Sequence, residues 1–388
     1  MRPVLIGSEI YRGSTYGPKH PLAIPRVSTM LDLVRAMGWV APGQYVDSPR
    51  ATPAQLTRFH TPDYVAALMQ AEASQAVDPA HRDRHRIGAD GNPVYREVFS
   101  RPATGAGGVM LAARLTAEGG PDGSPNGNIV HVPGGGTHHG QPDRASGFCY
   151  LNDAVLGLLT WLDLGLTNIL YLDIDAHHGD GVEAAFAEDP RVFTVSVHEA
   201  GRWPNSGPVE NRAGGHARNL PVPEGFNDSE MDFLLRHAIL PILRQRRPQA
   251  VMLQCGADAI AEDPLSRLAL SNAAHRAVVQ ALMGVAPRLI VLGGGGYNPW
   301  SVARCWAGVW ATLNRLPIPP RIPAPAEAVL RGLAWTRAAG RNPPEHWFTS
   351  IADAPRPNLA QSNPVRPEIR ALAARTLEGL PEAAKVPA

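Results

Sequence analysis

Short apolar runs recur along the chain, and each ends in glycine or in polar residues. They are rich in β-branched side chains and nearly continuous in hydrophobic character, which is typical of strands buried on both faces of a sheet. The clearest runs span residues 128–132, 168–174, 192–197, 250–255 and 288–293.

Between these runs lie longer segments whose apolar residues recur at helical spacing. Residues 152–165 begin at an Asn-Asp cap and stop at Gly165, and the segments 228–247 and 271–286 show the same periodicity. Strands that alternate with helices over short links predict a doubly wound, mainly parallel sheet flanked by helices. In such sheets ligands bind at the carboxyl ends of the strands.

The composition changes after Leu316, where the sequence continues "PIPPRIPAPAEAV" and loses its strand pattern. We therefore predict one domain over residues 1–316. Residues 317–388 form an extension rich in Pro, Ala and Arg, which we expect to pack on the domain or to trail from it.

Charge and cysteine content narrow the classes of function. The 388 residues carry a formal net charge of +1, which argues against binding nucleic acid or a membrane surface through bulk charge. The N-terminus lacks a sustained apolar region and no long apolar window follows, so neither a signal peptide nor a membrane span is expected. Three cysteines without a CxxC pair suggest a reducing compartment. We expect a cytoplasmic protein and leave its oligomeric state open.

The stretch "YLDIDAHHGDGV" (171–182) places ionisable residues directly after an apolar run. Asp173, Asp175 and His177 alternate with apolar residues, so they would share one face of a strand. Two carboxylates and an imidazole on one face predict a cation site. A surface turn paired with arginines is the alternative, but no basic residue lies nearby in the sequence.

A further acid, Asp258, follows the run 250–255 in the segment "GADAIAEDP". Alone it would more often be a cap or turn residue. With Asp175 and His177 it completes a set of two carboxylates and one imidazole. Three protein ligands and an open position are typical of a catalytic zinc site, and the same set suits iron(II).

Two glycine-rich segments end in side chains that could carry out chemistry. In "PGGGTHHG", the adjacent His138 and His139 would point in different directions, which favours proton transfer over chelation of one ion; two structural loop histidines are the alternative. Asp173 and Asp180 are the acids available to orient them. In "LGGGGYNPW", Tyr297 could donate to a developing oxyanion. A phosphate cradle is disfavoured because no lysine motif or dinucleotide fingerprint accompanies the glycines.

Taken in order, these motifs resemble the zinc-dependent histone deacetylase superfamily, including acetoin-utilisation-type bacterial deacetylases. The resemblance covers about residues 10–316 and includes "HPLAIPRVSTMLDLV", "HHGQPDRASGFCYLNDAV", "YLDIDAHHGDGVE", "QCGADAIAEDPL" and "GGGGYN". It implies the arginase/deacetylase-like α/β fold, in agreement with the predicted parallel sheet.

The resemblance also implies roles for individual residues. The zinc ligands would be Asp175, His177 and Asp258. His139, backed by Asp180, would be the general base and acid, with His138, backed by Asp173, as its electrostatic partner. Tyr297 would polarise the acyl carbonyl. The substrate tunnel would be lined by Gly147, Phe148, Trp203 and Leu265, and Arg26 would line an acetate channel.

Members of the superfamily also bind potassium. The nearer site would use Asp173, Asp175, His177 and Ser196, partly through backbone oxygens, and a second site would involve Phe186, Asp189 and Val192.

Two positions at the rim depart from the family pattern. In "ADGNPVY", Asp90 is displaced by one position from the aspartate that orients the substrate backbone, and Gly91 takes its place. Glu262 stands where glycine is common and would add negative charge near the rim, which would favour a cationic or small amine substrate. An acid exposed to solvent at the start of a helix is the alternative.

The function implied is that of a zinc-dependent amidohydrolase that removes acetyl or other acyl groups from the ε-amine of lysine in proteins or peptides. The first alternative is a deacetylase of small acetylated amines such as acetylpolyamines. Leu265 at the rim, in place of an acid, argues against this alternative, whereas the negative charge of Glu262 leaves it open. An arginase-like ureohydrolase with two manganese ions is the second, although Asp258 is the one well-placed acid of its segment. A protein that binds acetyl groups without turnover belongs to a different class, and the presence of every expected catalytic side chain argues against it.

Overall fold

Eight strands, all paired in parallel, form one sheet in the computed structural model, which describes residues 2–118, 128–354 and 365–380. Positions 355–364 and 381–388 of the predicted extension lie outside the described residues. The spatial order is β2-β1-β3-β8-β7-β4-β5-β6. The strands are β1 (Val4–Gly7), β2 (Tyr45–Asp47), β3 (Ile129–Val132), β4 (Ile169–Asp173), β5 (Val192–Glu199), β6 (Ala217–Val222), β7 (Ala250–Gln254) and β8 (Leu289–Leu292).

The five apolar runs of the sequence correspond to β3, β4, β5, β7 and β8, so the predicted parallel sheet is confirmed. The pattern missed β1, β2 and β6. The first two are short, with four and three residues. In β6 the polar Arg218 and Asn219 interrupt the apolar run, although both side chains are buried.

Helices cover both faces of the sheet. Residues of β4 alternate between two apolar clusters: Leu170 and Leu172 pack on one side, and Ile169 and Tyr171 on the other. Burial on both faces explains why the strand sequence is apolar without a break. No helix of the described residues is both long and apolar enough to cross a membrane. The helices are α1 (Ile10–Gly13), α2 (Val27–Ala36), α3 (Pro53–Leu56), α4 (Pro62–Ser74), α5 (Pro79–His85), α6 (Ser100–Glu118), α7 (Asp153–Asp163), α8 (Asp180–Ala185), α9 (Asp228–Leu234), α10 (Leu240–Arg246), α11 (Asn272–Leu282), α12 (Pro299–Leu313), α13 (Ala324–Arg331), α14 (His346–Thr349) and α15 (Pro367–Leu377).

The predicted helix 228–247 is one helical run with an irregular middle. A π-helical turn, Leu235–Ile239, joins α9 to α10. Pro241 lies in the first turn of α10 and has no N–H, so it cannot donate to the carbonyl four residues before it. A wider turn ahead of a proline accommodates that missing bond.

The chain after residue 316 packs back on the sheet domain through buried ion pairs. Arg304 of α12 donates to Asp353 at 2.5 Å, and both side chains are almost fully buried. Arg366, just before α15, makes two bonds to the fully buried Glu230 of α9, at 2.6 and 2.7 Å. The described part of the predicted extension is therefore anchored at two places.

Candidate active site

Four neighbouring strands at the centre of the sheet, β3, β8, β7 and β4, send their polar residues to one edge. Their carboxyl ends carry His138 and His139, then Tyr297, Asp258, and the Asp175–His177 segment, respectively. Adjacent carboxyl ends of parallel strands meet at one edge of the sheet, so four separate sequence motifs converge there. His139, His177 and Tyr297 line one cavity of about 560 Å³.

The predicted metal ligands form the innermost part of this edge. One donor atom from each of Asp175, His177 and Asp258 lies within 4.8 Å of the others. The reason given for their convergence was partly wrong, because β4 ends at Asp173. Asp175 and His177 therefore lie in the turn after the strand and not on a strand face. Hydrogen bonds from backbone N–H groups to carboxylates hold that turn. The N–H of Asp175 donates to Asp173 Oδ1 and the N–H of His177 donates to Asp175 Oδ1, both at 3.0 Å.

Neighbouring strands fix the carboxylates of this triad. Asp175 Oδ2 accepts from the side chain of Gln254 at 3.0 Å and from the backbone N–H of Gly295 at 2.7 Å. Asp258 Oδ1 accepts from the backbone N–H of Ala176 at 3.0 Å. A Cβ atom at Gly295 would lie 2.0 Å from Asp258 Oδ2, so this glycine is required by the close approach of the carboxylate. No pattern in the sequence singled out Gln254, which stands near the end of the apolar run 250–255.

The geometry of the triad fits a divalent cation. His177 Nδ1 lies 3.2 Å from Asp175 Oδ1 and 3.0 Å from Asp258 Oδ2. Ligands about 2.1 Å from a tetrahedral zinc ion are separated from each other by about 3.4 Å, close to these distances. Burial and the charge of Asp175 raise the pKa of Asp258 to about 6. A second carboxylate in a buried site is costly unless a cation offsets it, which is what a metal ion would do here.

Each histidine of the predicted pair is oriented by its own aspartate. His138 Nδ1 donates to Asp173 Oδ2 and His139 Nδ1 donates to Asp180 Oδ1, both at 2.7 Å. Asp173 also accepts from the hydroxyl of Tyr171 at 2.8 Å. With Nδ1 engaged, each ring presents Nε2 to the site.

The two histidines differ in their electrostatic surroundings. Burial, together with the charge of the neighbouring His138, lowers the pKa of His139 to about 4. For His138 burial also opposes the charged form, but the carboxylates of Asp173 and Asp175 raise its pKa to about 9. At neutral pH the pair therefore combines a neutral imidazole at His139 with an imidazolium at His138.

The loop that carries the pair is held from below by residues that the sequence analysis missed. The side chain of Asn152 donates to the carbonyls of His138 and Gly140, at 3.2 and 3.0 Å. The backbone N–H of Asn152 donates to Nε2 of His60 at 3.0 Å. Asn152 was expected only to cap α7, which it also does. His60 is distant in the sequence and stands in no motif.

Aromatic side chains line the outer part of the cavity. Phe148 and Tyr297 meet edge to face at 6.0 Å, and Trp203 packs against His139 at 4.7 Å. Trp203 is 44% exposed, so it stands at the entrance. Gly147 has a φ of +52°, and a Cβ atom there would lie 2.4 Å from Trp203, so a side chain would close the entrance. Leu265 also lines this cavity.

Tyr297 is held by an acid that the sequence analysis did not single out. Its backbone N–H donates to Asp263 Oδ2 at 2.6 Å. Behind Tyr297 and the triad lies a small cavity of about 50 Å³, which the predicted channel residue Arg26 lines. Arg26 donates to the carbonyl of Gly294 at 2.6 Å.

The two rim positions differ in their place relative to the cavity. Asp90 lines the cavity, but its carboxylate is paired with Arg86 at 2.9 Å. Glu262 is not among the described residues that line the cavity, and its carbonyl accepts from Asn298. Arginines that the sequence analysis passed over line the entrance instead: Arg86, Arg144 and Arg202.

The predicted potassium residues fall into two places. Asp173 of β4 and Ser196 of β5 are direct partners in the sheet, so the backbone of the nearer site is contiguous. The side chain of Ser196 contacts His198 at 2.9 Å. Phe186, Asp189 and Val192 form a chain of backbone hydrogen bonds between α8 and β5.

His178, the histidine next to the predicted ligand His177, makes its contacts away from the triad. It contacts Ser206 at 2.8 Å and Glu183 at 3.2 Å.

A parallel sheet whose carboxyl edge gathers two aspartates and a histidine around one point defines a protein of the arginase/deacetylase α/β class. Residues 20–313 match the family profile described as "Histone deacetylase domain". The chain belongs to the histone deacetylase family, which confirms the resemblance found in its motifs.

Individual relatives show the same likeness. Histone deacetylase 9 of Arabidopsis thaliana is 37% identical over 322 residues, which cover 80% of this chain and 73% of that protein. Putative histone deacetylase 2 of Caenorhabditis elegans is 36% identical over 300 residues, 75% of this chain but only 57% of that protein. The crystal structure of an HDAC homolog from Aquifex aeolicus matches with a TM-score of 0.88 and 31% identity, covering 97% of this chain and 100% of that one. An HDAC homolog complexed with SAHA matches with the same values.

Proposed function

We propose that this chain is a zinc-dependent amidohydrolase that removes acetyl or other acyl groups from the ε-amine of lysine in proteins or peptides. The observation that carries the proposal is the convergence, in one cavity edge, of the Asp175–His177–Asp258 triad with two histidines that each have a dedicated aspartate. Membership of the histone deacetylase family supports the same activity.

Asp175, His177 and Asp258 would hold the metal ion. When bound, zinc would polarise the acyl carbonyl and lower the pKa of water, and iron(II) suits the same ligands. The donor set of two carboxylates and one imidazole leaves a position open for substrate, as in catalytic sites.

His139 is suited to be the general base because it is neutral at pH 7 and Asp180 fixes its tautomer. It takes a proton from the attacking water and returns it to the leaving amine as the amide C–N bond breaks. His138, charged beside Asp173, stabilises negative charge that develops on the substrate. The hydroxyl of Tyr297 donates a hydrogen bond to the oxyanion. Gly147, which has no side chain, leaves the entrance of the cavity open. The products are a carboxylic acid and a free amine.

The aromatic walls, Phe148 and Trp203, suit the long aliphatic stem of an acyl-lysine. Leu265 at the entrance adds apolar surface, and Glu262 stands apart from the cavity lining among the described residues. Both observations favour acyl-lysine over a small cationic amine such as an acetylpolyamine. Potassium at the Asp173–Ser196 site and at the Phe186–Val192 loop, and a cytoplasmic location, stay predictions from the sequence.

The test is an activity screen over acyl-lysine peptides and acetylputrescine, with the metal of the purified protein identified. We expect turnover of acyl-lysine, sensitivity to chelators and one metal ion per chain. His139→Ala and Tyr297→Phe should each abolish hydrolysis while the metal content stays near normal. His237→Ala, a change at an exposed histidine far from the site, serves as the control.

Each contrary outcome has a distinct meaning. Full activity in either variant would overturn the assigned roles. Preference for acetylputrescine would favour the small-amine alternative. Two metal ions per chain would revive an arginase-like centre, and absence of turnover on every substrate would favour a protein that only binds acyl groups.

A further inference from the structure

The entrance of the active-site cavity carries three arginines at the outer end of the aromatic tunnel. Arg86, Arg144 and Arg202 line it, together with one carboxylate, Asp90. Guanidinium groups carry five N–H donors each and bind carboxylates in preference to neutral groups. An arginine can bind the carboxylate of a ligand only with N–H groups that are not already paired with neighbouring acids.

The three arginines are engaged to different degrees. Arg202 makes two bonds to the buried carboxylate of Glu199, at 2.9 and 2.6 Å, so its charge is matched. Among the described residues, Arg86 contacts an acid only through Nε, which lies 2.9 Å from Asp90 Oδ2, so its two terminal nitrogens are available to a ligand. Arg144 is half exposed, and within the described part of the chain its guanidinium pairs with one acid, the adjacent Asp143, at 3.2 Å. A surface pair of this kind contributes little and is easily exchanged for another carboxylate.

A second cavity extends the positive surface away from the tunnel. It measures about 540 Å³ and shares Asp90 and Asn92 with the entrance. Lys19 and Arg82 line it, and both are exposed. Across the described linings of the two cavities there are five cationic side chains and one carboxylate, and that carboxylate is already paired with Arg86.

We propose that this entrance selects acylated lysines flanked by acidic residues, with Arg144 and Arg86 as the specificity-determining side chains. This inference rests on the proposed deacylase function. The acyl-lysine stem occupies the aromatic tunnel, so the residues on either side of it in the peptide must lie over the entrance. Acidic flanks would meet Arg144, Arg86 and the cations of the second cavity, whereas Lys or Arg flanks would be repelled. The departure from the family pattern at Asp90 and Gly91 is consistent with a preference for acidic flanks, because Arg86 neutralises Asp90, the one acid that lines this rim.

The test compares acetyl-lysine peptides of equal length whose flanking residues are Glu, Gln or Lys. We expect kcat/KM to fall in that order, through KM more than kcat. Each exposed ion pair contributes about two- to fivefold, so the Glu and Lys peptides should differ by about tenfold. Raising the salt to about 1 M shortens the screening length to about 3 Å and should reduce the difference to less than about twofold.

Variants locate the effect. Arg144→Gln should reduce the preference for the Glu peptide over the Gln peptide by about two- to fivefold, and the double change Arg86→Gln with Asp90→Asn should reduce it further without leaving an unpaired acid. Arg236→Gln, at an exposed arginine on another face, should leave the preference unchanged. Equal kcat/KM for the three peptides, or a preference that survives both variants, overturns this inference alone. No turnover of any peptide overturns the proposed function and this inference with it.

Discussion

His60 offers a quantitative test of how the catalytic loop is held. The ring is 1% exposed and is fixed in one neutral tautomer. Nδ1 donates to the carbonyl of Gln141 at 3.0 Å, and Nε2 accepts the backbone N–H of Asn152 at the same distance. A protonated ring would turn Nε2 into a donor that faces another donor. Because Asn152 in turn holds the carbonyl of His138, the neutral state of His60 supports the histidine pair.

The expected cost of acid follows from the pKa of this ring. Burial lowers the pKa of His60 from 6.5 to about 4. As the pH falls below 6.5, the unfolded chain takes up a proton that the folded chain refuses, so stability is lost between pH 6.5 and pH 4. Each unit of pKa difference between the unfolded and the folded chain corresponds to about 1.4 kcal/mol. The free energy of unfolding should therefore fall by about 3 kcal/mol once the pH is below 4, and by about 2 kcal/mol at pH 5.

The measurement is urea unfolding of the metal-free protein and of His60→Gln at pH 7.5, 6 and 5, followed by tryptophan fluorescence. Glutamine can donate and accept but does not titrate. The stability advantage of the natural protein over the variant should therefore shrink by about 2 kcal/mol from pH 7.5 to pH 5. Contributions from other groups cancel in the difference between the two proteins. An advantage that is constant across this range would refute the neutral role of His60.

Two further predictions concern the metal triad and the anchor of the C-terminal segment. Gly295→Ala should lower metal affinity at least tenfold, measured by metal competition, because its Cβ would lie 2.0 Å from Asp258 Oδ2; Gly13→Ala, whose Cβ meets nothing within 4 Å, should bind metal normally. Unaltered affinity in the first variant would contradict the assigned ligand. Glu230→Gln should reduce the free energy of unfolding by about 2 kcal/mol, since it removes charge-assisted hydrogen bonds between a fully buried carboxylate and the partly exposed Arg366. Glu368→Gln, which removes a 3.8 Å surface contact with the same arginine, should cost less than about 1 kcal/mol.

The central sheet could be predicted because its strands are buried on both faces, and burial leaves a continuous apolar signal. The edge strands β2 and β6, and β1 beside β2, carry no such signal. β1 pairs through only a few residues, and β6 carries Arg218, whose guanidinium is satisfied by backbone carbonyls of the C-terminal segment, including that of Thr376 at 2.9 Å. A contact across more than a hundred residues cannot be read from local periodicity.

The sequence predicts those site residues that carry a charge in an apolar context. It does not predict the uncharged or isolated residues that hold them in place. Asp175, His177 and Asp258 stand out because charges at the ends of apolar strands need compensation. Gln254 and His60 have ordinary surroundings in the sequence, and only the fold places them against Asp175 and Asn152. The arginines of the entrance were hidden for a third reason: surface arginines are common, and their meaning depends on which carboxylates lie beside them.

The turn after β4 organises the groups that the other central strands contribute. Asp173 orients His138, Asp180 orients His139, and Asp175 accepts from Gly295 of the loop after β8. Asp173 is also the direct sheet partner of Gln254 in β7. A shift of one residue in the register between β4 and β7 would turn Asp173, the last residue of β4, to the opposite face of the sheet. The same pairing that buries Leu172 and Leu253 in the core therefore sets the positions of the acids, and the precision of the site depends on the packing of the sheet beneath it.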